Sequence, residues 1–178
     1  MLKFIWLTIF VISSSANAAC KGILYKESRD VFSSEYPVKE GLTIGNTLRL
    51  PKLIHEKEII VDKGPVVIMQ SGDSYISYRV IDKDEVEFIG SKKSPYNFFK
   101  SAFTKPEDII ECSFIDGIRG MKSRSYYDIN NIEFYVHEMK ESITIYLLST
   151  EIDIVLEVTT KNIPREVVNN IMANTKVK

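Results

Sequence analysis

The sequence has one tryptophan, two histidines and two cysteines in 178 residues, and these shortages exclude a good deal. A hydrolytic triad needs a nucleophile, a base and an orienting acid that converge in space. Neither histidine is accompanied by a G-x-S-x-G elbow or a comparable local signature. His55 lies in the alternating charged stretch Lys52 to Glu58, and His137 on a predicted strand, so both read as solvated or partly packed histidines. No H-x-x-x-H or Cys-x-x-Cys spacing offers a zinc site. Asp62, Asp82 and Asp84 stand at turns without the further oxygen ligands of a calcium loop. Gly117-Ile118-Arg119-Gly120 is neither a P-loop nor a dinucleotide fingerprint. The expectation is no cofactor and no metal.

Charge of one sign is also missing. Setting aside Lys3, the 23 basic residues fall to 22 against 24 acidic, which argues against nucleic acid as a partner and leaves no polybasic membrane patch. Long hydrophobic runs are missing too. The longest, Phe4 to Ile12, has about nine residues, where a membrane-spanning helix needs roughly twenty.

That short run is informative in itself. Lys3 supplies a positive start, the apolar run follows, and Ala16-Asn17-Ala18 fits the A-x-A cleavage pattern. Residues 1–18 therefore read as a signal peptide and 19–178 as one domain, periplasmic or secreted, with no membrane span. Cys20 and Cys112 remain after cleavage, and an even count in an oxidising compartment favours one disulfide. The rivals are two free thiols or a lipid anchor on Cys20, although Asn17 stands where lipoprotein signals usually carry leucine.

Strand patterns dominate the remainder. Ile132, Phe134 and Val136, then Ile143, Ile145 and Leu147, then Ile152, Ile154, Leu156 and Val158 alternate strictly, which predicts an antiparallel meander over Ile132 to Val158. Leu48 to Ile81 reads as earlier strands, with turns at Asp62-Lys63-Gly64-Pro65 and Ser71-Gly72-Asp73-Ser74. The continuous run Val66 to Met69 predicts a central strand buried on both faces. Gly22 to Lys26 reads as a first strand, Glu27 to Thr43 as a surface connection or a short helix, Asp82-Lys83-Asp84 as a turn before a strand at Glu85 to Ile89, and Ile110 to Ile115 as a strand carrying Cys112.

Helical signals are fewer. Ser94-Pro95 is a helix start, and Phe98, Phe99, Ala102 and Phe103 share one stripe behind it. Thr104 and Glu107 have capping-box spacing for a second short helix. Pro164 to Ala173 presents Val167, Val168, Ile171 and Met172 on one face. The predicted class is α+β: an antiparallel sheet of about 6–8 strands with helices packed on it, including a C-terminal helix.

This order of elements carries a resemblance. A strand ending in Leu48-Arg49-Leu50-Pro51, a hairpin series, a mid-chain helix, a meander, a terminal helix and the tail Lys176-Val177-Lys178 resemble the PsbP-like family of small exported domains. The resemblance implies an antiparallel sheet between helices and an accessory or binding role, with no shared catalytic set. The anatomy also resembles periplasmic immunity proteins that neutralise secreted toxins: a signal peptide, one disulfide and tyrosines without an enzyme motif.

Aromatic chemistry is what the sequence has in plenty. Tyr135, His137 and Tyr146 lie on the meander face opposite the apolar one, and Arg119, Lys122, Arg124, Tyr126 and Tyr127 fall in an expected loop from Asp116 to Asp128. Tyrosine and arginine are favoured interface anchors. These eight residues are the candidate protein-binding site. If a helix covers the meander face, its tyrosines are core and only the loop remains. The leading expectation is a non-enzymatic periplasmic binding protein, an inhibitor or immunity protein against a secreted toxin or exported enzyme. The alternatives are a PsbP-like assembly factor of an envelope complex and, third, a small hydrolase with an unrecognised site.

Overall fold

The structure, a computed structural model, describes residues 20–28, 41–44, 48–51, 59–63 and 66–177, with side chains placed in 20–28 and 66–177. The expected signal peptide, most of the expected connection from Glu27 to Thr43, the stretch with His55, and Gly64-Pro65 lie outside the described residues. In chain order the elements are β1 (Lys26–Glu27), β2 (Gly41–Ile44), β3 (Leu48–Pro51), β4 (Ile59–Lys63), β5 (Val66–Ser71), β6 (Ser74–Ile81), α1 (Lys83–Phe88), α2 (Pro95–Thr104), α3 (Ile109–Ile118), β7 (Ser123–Ile129), β8 (Ile132–Glu138), β9 (Ser142–Leu148), β10 (Val155–Lys161), α4 (Arg165–Asn174) and β11 (Lys176–Val177). Eight strands form one sheet in the order β1-β7-β8-β9-β10-β6-β5-β4, and β11-β3-β2 form a second. Every pairing is antiparallel except the short β1–β7 pair, so the fold is α+β with a C-terminal helix, as expected.

The meander forms as read. β8, β9 and β10 are consecutive neighbours, and β10 continues the sheet through β6. Its third strand starts only at Val155, because residues 150–153 make a turn and bend. Period-two alternation splits the side chains between two cores. Ile132, Phe134, Val136, Ile145, Leu147 and Val158 meet Val168, Ile171 and Met172 of α4. On the opposite face Tyr135, Tyr146, Leu148 and Val155 lie with Phe98, Phe99 and Phe103 of α2 and Ile115 of α3.

Several expectations are corrected. Glu85 to Ile89 belongs to no strand: Asp82 caps α1 by accepting from the Glu85 amide at 3.1 Å, and Asp84 and Glu85 favour the positive end of the helix. Ile110 to Ile115 is α3, capped not by Thr104 but by Asp108, which accepts from the Ile110 and Glu111 amides at 2.9 Å each. Its buried residues Glu111, Cys112, Ile115 and Ile118 recur at helical spacing. The expected loop from Asp116 to Asp128 is the end of α3, a turn and most of β7. Asn130 and Asn131, both at positive φ, close the β7–β8 hairpin in the two-residue geometry whose twist suits paired strands. Only Met69 of the run Val66 to Met69 is buried, since β5 lies one strand from the sheet edge and not at its centre.

The first described residues form a strap rather than a long strand. Cys20 is bonded to Cys112 of α3, establishing the disulfide. A Cβ on Gly22 would lie 2.8 Å from the Thr104 carbonyl oxygen, so only glycine lets the strap pass the end of α2. Ile23 is buried, β1 pairs with β7 at Ser125 and Tyr126, and the Ser28 amide donates to the Tyr126 carbonyl at 3.0 Å. A disulfide fits an exported protein. Among the described residues, no helix is long and apolar enough to cross a membrane.

Candidate binding surface

The structure separates the eight predicted residues into core and surface. Tyr135, His137 and Tyr146 are buried, 2%, 0% and 6% exposed, because α2 and the strap cover that face of the meander. Tyr135 stacks on Phe103 with ring centres 4.5 Å apart, and Phe103 lies 5.3 Å from Tyr146. Tyr25 of the strap stacks on His137, and its hydroxyl lies 2.7 Å from Nε2. Burial, and then the Arg124 guanidinium, depress the imidazole to about 4, so it is neutral at pH 7. Tyr127 is buried on the α4 face, where its hydroxyl accepts from Arg165 at 3.0 Å.

Arg119, Lys122, Arg124 and Tyr126 keep contact with solvent, and three of them have internal work. Arg119 pairs with Asp116 at 2.8 Å and donates to the Lys21 carbonyl at 2.9 Å, which ties the strap to the end of α3. Arg124 donates to the Arg119 carbonyl. Tyr126 joins Tyr96, Tyr135 and Lys100 around the Glu133 carboxylate. Burial works to raise the Glu133 carboxyl, yet hydrogen bonds from Lys100 and Tyr96 outweigh it and hold the group below its usual range. Burial and the nearby Glu133 charge push the Tyr126 phenol up to about 12.

Two concavities stand out among the described residues. One, of about 610 Å³, lies where β7, β8 and β9 meet the start of α4 and is lined by Ser123, Arg124, Tyr127, Glu138, Lys140 and Arg165 among others. It brings Arg124 and Tyr127 together. Its central charges are mutually satisfied, since Arg165 pairs with Glu138 and Ser123 donates to the same carboxylate at 2.9 Å.

The other, of about 580 Å³, is a groove beside α1 whose apolar lining includes Val86, Phe88, Phe99 and Phe114. Phe88 is 92% exposed and Ile89 46%. Gly90, at positive φ, brings the end of α1 against Ile110 at the start of α3, where Ile109 is 73% exposed. Phe88, Ile89 and Ile109 are thus exposed apolar side chains near the junction of α1 and α3. Sequence reading missed them by treating Glu85 to Ile89 as a strand; the Asp82 cap followed by Asp84 and Glu85 was the available signal for a helix. No family model, curated protein or solved structure matches the chain.

Proposed function

We propose that the chain is a non-enzymatic binding protein of the periplasm or extracellular space, acting as an inhibitor of a secreted toxin or exported enzyme. The observation that carries this reading is the exposed apolar surface of Phe88, Ile89 and Ile109 on a domain stapled by a disulfide. Contiguous exposed apolar surface marks interaction sites on exported and intracellular domains alike. The groups with the most reactive chemistry support the same reading, because they are consumed internally. His137 faces a phenol inside the core, and Glu133 is held by three phenols and an ammonium.

The test is site-specific photo-crosslinking in the native host, with benzoylphenylalanine replacing Phe88 in one protein and Lys122 in another. A discrete partner should be trapped, and once identified and purified it should bind the chain and lose activity on its addition. A partner that keeps its activity within an envelope complex moves the reading to an assembly factor. Absence of any adduct from both positions ends the binding-protein reading.

A further inference from the structure

We infer that the groove beside α1 takes a basic segment of a protein partner, with an arginine or lysine reaching Glu157 and Asp84 and a neighbouring apolar side chain packing against Phe88 and Phe114. This rests on the protein-binding reading above and names the chemistry of the partner.

Charge is the first reason. The groove lining carries Asp84, Glu85 and Glu157 against Arg79 alone. Around it, Asp82 and Glu87 add acid while Lys83 adds one base. Arg79 is divided between two carboxylates, lying 3.2 Å from Glu85 and 3.9 Å from Glu157. Glu157 therefore has the more distant half of one cation, although its side chain is only 22% exposed. Burial raises its carboxyl, and Arg79 and Tyr146 do not fully offset that. A partly dehydrated carboxylate with incomplete compensation is stabilised by a second cation.

Shape is the second reason. Phe99 and Phe114 pack edge to face at 5.1 Å and Val86 is fully buried, so the apolar part of the lining is anchored while Phe88 stands free beside it. An aliphatic stem carrying a charged head matches this combination of apolar wall and acidic end. The same acidic rim is repelled by anionic lipid, which favours a protein over a membrane surface.

The test uses fluorescence anisotropy of labelled synthetic peptides on the disulfide-bonded mature protein. One peptide alternates arginine with leucine and phenylalanine, one replaces arginine with glutamate, and one keeps arginine but replaces the apolar residues with serine. The first should bind, with affinity falling as salt rises, and each of the others should bind about tenfold more weakly. Phe88→Ser should weaken the first peptide about tenfold, and Glu157→Gln about threefold with a flatter salt dependence. Equal binding of the glutamate peptide, unchanged affinity in Phe88→Ser, preferential binding of phosphatidylglycerol vesicles, or no binding of the first peptide would each overturn the inference. Crosslinking from position 122 without any from position 88 would remove the groove and leave the binding-protein reading standing.

Discussion

The sheet face beneath α2 and α3 is closed at one end and open at the other. At the closed end the strap crosses His137 and Tyr135, with Ile23 buried, Tyr25 on the imidazole, and the Cys20–Cys112 bond holding the crossing to α3. At the open end the short helix α1 leaves Phe88 and Ile89 in water. Both ends are aromatic, so composition alone does not tell core from surface. What differs is whether a second element is tied down over the rings: a disulfide and an arginine fix the strap, and no comparable tether crosses α1 among the described residues.

The largest expected effect breaks the closed end. Replacing both cysteines with serine removes a cross-link between residues 92 apart, and in the chain-entropy account this costs about 4 to 5 kcal/mol as an upper figure. Urea unfolding of the variant and the parent measures it, and a loss below about 1 kcal/mol would show that packing alone holds the strap. Next, Phe103→Ala, at a ring with no exposure that touches Tyr25, Tyr135 and His137, should cost about 3 to 5 kcal/mol. Phe88→Ala should change stability by less than about 0.5 kcal/mol. Similar costs at the two phenylalanines would erase the distinction between the ends.

A third prediction concerns the support shared by both ends. Glu111 of α3 is completely buried and receives Lys93 at 2.6 Å, Ser101 at 2.9 Å and the Glu107 amide at 2.6 Å. Glu111→Ala strands the Glu107 amide and leaves Lys93 with Glu107 at 2.8 Å and Ser101 at 3.2 Å, and should cost about 2 kcal/mol. Lys93→Met with Glu111→Leu should recover much of that loss, because an apolar replacement removes both charges together. Failure of the double variant to recover would assign the cost to packing of α3 instead.

How far the sequence reveals this arrangement depends on the range of the signals. The meander, the start of α2 at Ser94-Pro95, the C-terminal helix and the cysteine pairing are readable because alternation, capping and compartment are local or global rules that need no partner element. α1 and α3 resemble strands in sequence because short apolar runs carry no decisive period; their Asp82 and Asp108 caps are the discriminating residues. β7 was hidden by its small and charged residues, although Asn130-Asn131 marked the hairpin. The groove was not legible, since Arg79, Phe88, Phe99, Phe114 and Glu157 come from five elements and meet only in the folded chain. Whether Tyr135 was core or surface likewise hung on a strap that begins more than a hundred residues earlier.

The last expected effect is a pH dependence that arises at the closed end. In an unfolded chain the His137 imidazole titrates near 6.5, and in the folded protein it is held at about 4, by burial and then by Arg124. Between those values the unfolded state binds the extra proton, so stability rises with pH. The contribution is complete above about 6.5 and is lost as pH falls towards about 4, amounting to about 2 kcal/mol by pH 5. Arg124 is the charged group that acts on it, and the phenols of Tyr25, Tyr135 and Tyr146 around it do not change charge in this window, because burial raises all three. Glu157 is raised as well and works in the opposite direction as pH falls, which is why the comparison must be with a variant and not with the parent alone. His137→Phe should flatten the stability profile between pH 6.5 and 5, measured by urea unfolding at each pH, while leaving peptide binding at the α1 groove unchanged. An unaltered slope would mean that the strap admits water and a proton to His137, and that the closed end is closed only in its contacts.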